Sequence, residues 1–138
     1  MLTPKKVKHR KWHKPRRWKK GVATRMNKVD FGDFGLVATT PAWVNSRQIE
    51  AARKVLTRYV KRGGQVWIRL FPDRPVTRKG AEVPMGKGKG APDHYVATVK
   101  PGTVMFEIGG ITEENAKKAL KSAGQKLPTK IKVIKKED

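Results

Sequence analysis

Residues 85–90 read Met85-Gly86-Lys87-Gly88-Lys89-Gly90, with Arg78 and Lys79 a few positions upstream. Alternating glycine lets a backbone approach a phosphate chain closely and adopt positive φ. Alternating lysine supplies the countercharge. A nucleotide-binding P-loop is the first chemistry to test. It requires G-x-x-x-x-G-K followed by Ser or Thr. Here Gly80 to Gly86 encloses five residues rather than four, and Gly88 follows Lys87, so no hydroxyl is available for Mg²⁺. Pro92 also opposes a following helix. The spacing argues against the nucleotide-hydrolase reading. The two stronger readings are a clamp on an RNA backbone and a solvated flexible loop.

The second candidate lies at the N-terminus. Lys5, Lys6, Lys8, Arg10, Lys11, Lys14, Arg16, Arg17, Lys19 and Lys20 crowd around Trp12 and Trp18. Indole rings are costly to leave in water and well suited to stacking on unpaired bases, as are guanidinium planes. Basic segments of this kind commonly fold on a nucleic acid. The plainer alternative is a disordered, solubilising extension.

Catalytic constellations are missing from the sequence pattern. His9 and His13 are four apart, but cationic neighbours disfavour a metal there, and no acid or thiol accompanies them. His94 opens a strand and reads as structural or as an RNA contact. Acid–base catalysis needs a positioned partner, and the acids are scattered. Ser46 and Ser122 fall on helices without a nucleophile elbow. No catalytic residue, metal site or cofactor is expected.

Composition points the same way. The 138 residues carry 33 Lys+Arg against 11 Asp+Glu, a formal charge of +22. Such self-repulsion is relieved by binding a polyanion, where each neutralised phosphate releases a counterion. No acid precedes Asp30, whereas 12 bases do. Of 30 Leu, Ile, Val and Phe residues, only Leu2, Val7 and Val22 precede residue 29. A basic extension over 1–28 and a folded body over 29–138 follow, the body carrying a Gly/Lys-rich loop at about 73–93. Without Cys there are no disulfides or thiolate metal sites. No apolar run approaches a membrane span, and no apolar stretch follows the basic tail to make a secretory signal.

The elements that must position these segments can be read from periodicity. Phe34–Thr40 is a short strand ended by Pro41. Asn45 and Gln48 form a capping-box pattern, with Val44 and Ile49 as its hydrophobic staple. Ile49, Ala52, Leu56 and Val60 then mark one face of a helix that Gly63-Gly64 stops. Arg53, Lys54, Arg58, Lys61 and Arg62 occupy the rest of that helix surface. Gln65–Phe71 is a strand, followed by the long loop. Tyr95–Val99 and Val104–Ile108 read as a hairpin joined by Lys100-Pro101-Gly102-Thr103, a type II turn pattern. Thr112 caps a second helix whose stripe is Ala116, Ala119, Leu120 and Ala123. A last strand lies near Thr129–Ile134. The order β-α-β-β-β-α-β predicts an α+β fold, two helices on a mainly antiparallel sheet.

Several segments together resemble a known family. Met1-Leu2-Thr3-Pro4-Lys5, His9-Arg10-Lys11, Phe31-Gly32-Asp33-Phe34-Gly35-Leu36, Arg47-Gln48-Ile49-Glu50-Ala51-Ala52-Arg53, Trp67-Ile68-Arg69-Leu70-Phe71-Pro72-Asp73-Arg74-Pro75, the Met85–Gly90 run and Lys126-Leu127-Pro128 occur in order along nearly the whole chain. They resemble the bacterial-type large-subunit ribosomal protein family "L sixteen". The resemblance implies an α+β fold with hammerhead-like strands and a non-enzymatic role in the large subunit. It implies binding to large-subunit rRNA, proximity to aminoacyl- and peptidyl-site tRNA, and late assembly. It makes the basic tail and the Gly-Lys loop the RNA-facing parts. Family members often have Arg directly before Met-Gly-Lys-Gly-Lys-Gly. Here Pro84 stands there, so no contact or modification of that Arg carries over.

The expected partners are therefore rRNA, tRNA at both sites and neighbouring ribosomal proteins, without membrane or homo-oligomer. The expected location is a cytoplasmic ribosome or an organellar one. A free-standing nucleic-acid chaperone and a phosphate-transfer enzyme using the Gly-Lys loop are the competing classes.

Overall fold

The computed structural model describes residues 22–23, 26–60, 63–77 and 92–137. Seven strands and two helices follow one another along the chain. They are β1 (Phe34–Ala38), β2 (Ala42–Asn45), α1 (Ser46–Val60), β3 (Gln65–Ile68), β4 (Arg74–Thr77), β5 (Pro92–Val99), β6 (Val104–Gly109), α2 (Glu113–Gly124) and β7 (Ile131–Lys135). The fold is α+β, as expected, and every strand pair is antiparallel.

The strands form two sheets rather than one. The first has the order β3-β6-β1-β7 and the second β2-β5-β4. β2 and β4 are additional to the elements expected from periodicity. β2 fills the stretch between Pro41 and the helix cap. β4 lies inside the segment expected to be loop. Both are four residues long, too short for alternation to stand out from a coil.

Helix α1 begins as its sequence dictates. The Asn45 N–H donates to Gln48 Oε1 at 3.0 Å, and the Gln48 N–H donates to Asn45 Oδ1 at 2.9 Å. This reciprocal pair satisfies two donors that a helix start leaves open. Ile49, Ala52, Leu56 and Val60 are all buried. Helix α2 is capped by Thr112, whose hydroxyl accepts the Asn115 N–H at 3.4 Å. Its stripe of Ala116, Ala119, Leu120 and Ala123 is buried too. The two helices pack on each other and on the larger sheet, with Leu36, Met105, Phe106 and Ile108 beneath them in the core.

The expected hairpin between residues 95 and 108 does not form. Its turn does: the Thr103 N–H donates to Lys100 O at 3.1 Å, and Gly102 has φ +93°, which only glycine adopts without strain. However, the Gly102 N–H donates to Ala38 O, and the Ala38 N–H donates to Thr103 O. The end of β1 thus occupies the edge of β6 that β5 would have taken. β5 pairs instead with β2 and β4. A local turn signal specifies the reversal of the chain, not which strand pairs with which.

Candidate nucleic-acid interface

All the sequence-predicted binding residues lie outside the described residues. These are Lys5, Lys6, Lys8, Arg10, Lys11, Trp12, Lys14, Arg16, Arg17, Trp18, Lys19 and Lys20 in the tail, and Arg78, Lys79, Met85, Gly86, Lys87, Gly88, Lys89 and Gly90 in the loop. The described residues show how each segment is rooted.

The Gly-Lys segment is rooted on a hairpin. β4 and β5 pair antiparallel in the register Arg74↔Val96, Pro75↔Tyr95, Val76↔His94 and Thr77↔Pro92, with an irregularity between Val76 and Thr77. Residues 78–91 therefore leave and re-enter the body on adjacent strands. β4 is an edge strand, where proline is tolerated because no ladder partner needs its missing N–H. Pro75 fits that rule. Arg74 is buried, and its guanidinium lies 5.4 Å from the centroid of the Trp43 ring on β2. That contact reaches over β5 and ties the two edge strands together. Cation–π contacts of this kind gain strength when desolvated.

The N-terminal segment is rooted by an ionic strap. Glu107 sits in the middle of β6 with no exposed surface. Its Oε1 accepts the Phe31 N–H at 2.7 Å and the Gly32 N–H at 2.9 Å. Its Oε2 accepts Arg69 Nη1 at 2.5 Å. Arg69 also donates to Lys28 O at 2.9 Å and pairs with Asp30 at 3.3 Å. A Cβ at Gly32 would meet Ile108 O at 2.8 Å, so only glycine lets this backbone lie so close to β6. Further out, the Val104 N–H donates to Met26 O, and the Ala23 N–H donates to Pro101 O. The described residues from Val22 to Asp33 are thus bound to the body at both ends.

The charge on Glu107 is favoured despite its surroundings. Burial alone would raise its pKa, but the hydrogen bonds from Gly32, Arg69 and Phe31 outweigh that and hold it below the ordinary value. A carboxylate taking three donors is a satisfied buried charge. Periodicity overlooks this pair, although one signal was present. Glu107 is the lone acid in the apolar run Val104–Ile108, and a charge in a buried strand demands a partner.

A second set of cations also escapes a motif search. Lys126, Lys130, Lys132, Lys135 and Lys136 are all exposed along the approach to β7 and on that edge strand. Lysines on a sheet edge discourage strand addition by other chains. They also supply countercharge for a polyanion. On α2 the exposed lysines are partly engaged, Lys117 with Glu113 and Lys118 with Glu114. Surface pairs of that kind contribute little.

Basic segments rooted on a folded body describe a binder without naming its partner. A model of the ribosomal protein L16p/L10e family matches residues 4–134. The chain belongs to that family. Nearly the whole length is covered, including both segments for which the structure describes only the roots. Membership makes the protein a structural constituent of the large ribosomal subunit, with a structural rather than a catalytic role. Among the described residues, no cluster of three or more His, Cys, Asp and Glu could hold a metal ion. No described helix is long and apolar enough to cross a membrane.

Proposed function

We propose that this ribosomal protein binds large-subunit rRNA through its acid-free N-terminal extension and contacts tRNA near the aminoacyl and peptidyl sites through its Gly-Lys loop. Residues 1–28 act as the RNA-binding extension and residues 29–138 as the body that carries the loop. Lysine and arginine neutralise phosphates, while Trp12 and Trp18 stack on unpaired bases. The observation that carries this reading is the family match over residues 4–134, taken with 12 bases and no acid before Asp30. The hairpin root of the loop supports the second half, because a backbone held at both ends loses less entropy on binding than a free tail. Within the particle the protein touches neighbouring ribosomal proteins and supports late subunit assembly. It acts as a single copy in the cytoplasm or an organelle, without enzymatic activity.

The test is incorporation of a chain lacking residues 1–20 into large subunits depleted of this protein. Incorporation should weaken, and its salt dependence should flatten. Each lost phosphate contact removes roughly 0.7–0.9 from the log–log slope. An unchanged slope would mean that the tail is only solvated. Release of the full chain from the subunit by a moderate-salt wash would favour a free chaperone, and ATP or GTP binding would favour a phosphate-transfer enzyme.

A further inference from the structure

A cleft of about 390 Å³ opens between the N-terminal strap and the end of the larger sheet, beside the Arg69–Glu107 pair. Phe31 and Trp67 line it together with Asp33, Gln65, Gly109 and Gly110. Phe31 is 59% exposed, an unusual state for a ring whose backbone is fixed. The Arg69 guanidinium lies 5.2 Å from its centroid and occupies the inner side of the ring. Trp67 is half-buried on β3. A Cβ placed on Gly109 would lie 3.3 Å from both the Trp67 ring and Asp33 Oδ2. Without a side chain at Gly109, the Trp67 ring and the Asp33 carboxylate both come close to this backbone and share one end of the cleft.

We infer that this cleft receives an unstacked guanine of RNA, a reading that rests on the RNA-binding function proposed above. The rings supply stacking planes, and stacking on aromatic side chains is how splayed-out bases are held. The carboxylate selects among bases. Asp33 accepts one weak bond, from the Gly110 N–H at 3.3 Å through Oδ2, and is otherwise exposed. A second free oxygen on an exposed carboxylate repels phosphate but accepts base donors. The Watson–Crick edge of guanine offers two adjacent donors, the ring N–H and the exocyclic amine, which match a carboxylate in a bidentate pair. Adenine and cytosine offer an amine beside an acceptor, and uracil a single ring N–H between two carbonyls. A carboxylate is a poor match for each of those. An arginine of a protein partner has the same two donors, but the +22 charge of this chain opposes a cationic segment and attracts RNA.

Binding of the full chain to a short oligouridine, and to the same oligomer carrying one central guanosine or one central adenosine, tests this at moderate salt. The guanosine oligomer should bind about tenfold more tightly than the other two. In an amide-resolved spectrum it alone should shift the Trp67 indole N–H and the Gly109 and Gly110 amides. Asp33→Asn should remove the guanosine preference, so that the three oligomers bind the variant with equal affinity. Phe31→Ala should weaken the guanosine oligomer about tenfold, and Phe31→Tyr should restore it. Thermal midpoints of the variants separate lost folding from lost recognition. Equal affinity for all three oligomers would overturn the guanine cleft alone, since the tail and loop would still bind RNA. Shifts at the cleft caused by an arginine-rich peptide and not by the guanosine oligomer would also overturn it. Failure to bind any oligomer would sink the RNA reading and the cleft together.

Discussion

Replacing Glu107 by Gln should destabilise the protein well beyond an ordinary surface substitution. The side chain keeps its shape, so no cavity opens. One amide oxygen can still accept the Phe31 and Gly32 N–H groups that Glu107 Oε1 now holds at 2.7 and 2.9 Å. The amide nitrogen then faces Arg69 Nη1 across a gap that is now a 2.5 Å hydrogen bond, donor against donor. Arg69 falls back on Asp30 and the Lys28 carbonyl, both at the surface. Two charge-assisted bonds become neutral ones, and a largely buried cation loses its best partner. Such losses cost roughly 3 kcal/mol, or about 10 °C in Tm for a domain of this size. Urea titration of the purified full chain should show the midpoint fall at an unchanged slope. The pH dependence is a second reading of the same pair. The Glu107 pKa is depressed in the folded state, so its stabilisation is present above the unfolded carboxylate value of about 4.3. It is lost as pH falls through the lower folded value. The wild-type chain should therefore lose stability below about pH 4 more steeply than E107Q. A loss under about 0.5 kcal/mol, with parallel acid profiles, would refute the strap as an anchoring element.

Two other outcomes are expected. Asn45→Ala removes one side of the reciprocal cap and should cost about 1 kcal/mol by urea titration, against little change for the exposed Lys54→Ala. Lys87→Ala with Lys89→Ala should weaken tRNA binding to assembled subunits more than it weakens incorporation, because these lysines lie away from the core pattern. Unchanged tRNA affinity in filter binding would remove the loop from that role.

Much of this protein is determined by its sequence alone, where the physics is local. Helix α1 is written in Asn45, Gln48 and the spacing of Ile49, Ala52, Leu56 and Val60, because capping and amphipathic periodicity act within a few residues. Helix α2 is legible in Thr112 and its alanine stripe for the same reason. The acid-free stretch before Asp30 sets the charge distribution whatever the fold. Only the tertiary structure decides what depends on distant partners. The Lys100–Thr103 turn is local and forms, yet its two strands join different sheets, because Ala38 claims the edge beside Thr103. β4 makes residues 78–91 a hairpin connection rather than part of a longer loop, and its four residues form a strand only because β5 lies alongside. Glu107 and Arg69 are ordinary charged residues 38 positions apart until the pairing of β3 with β6 brings their segments together. Burial then makes their contact costly to break, and that long-range contact holds the root of the basic tail against the body.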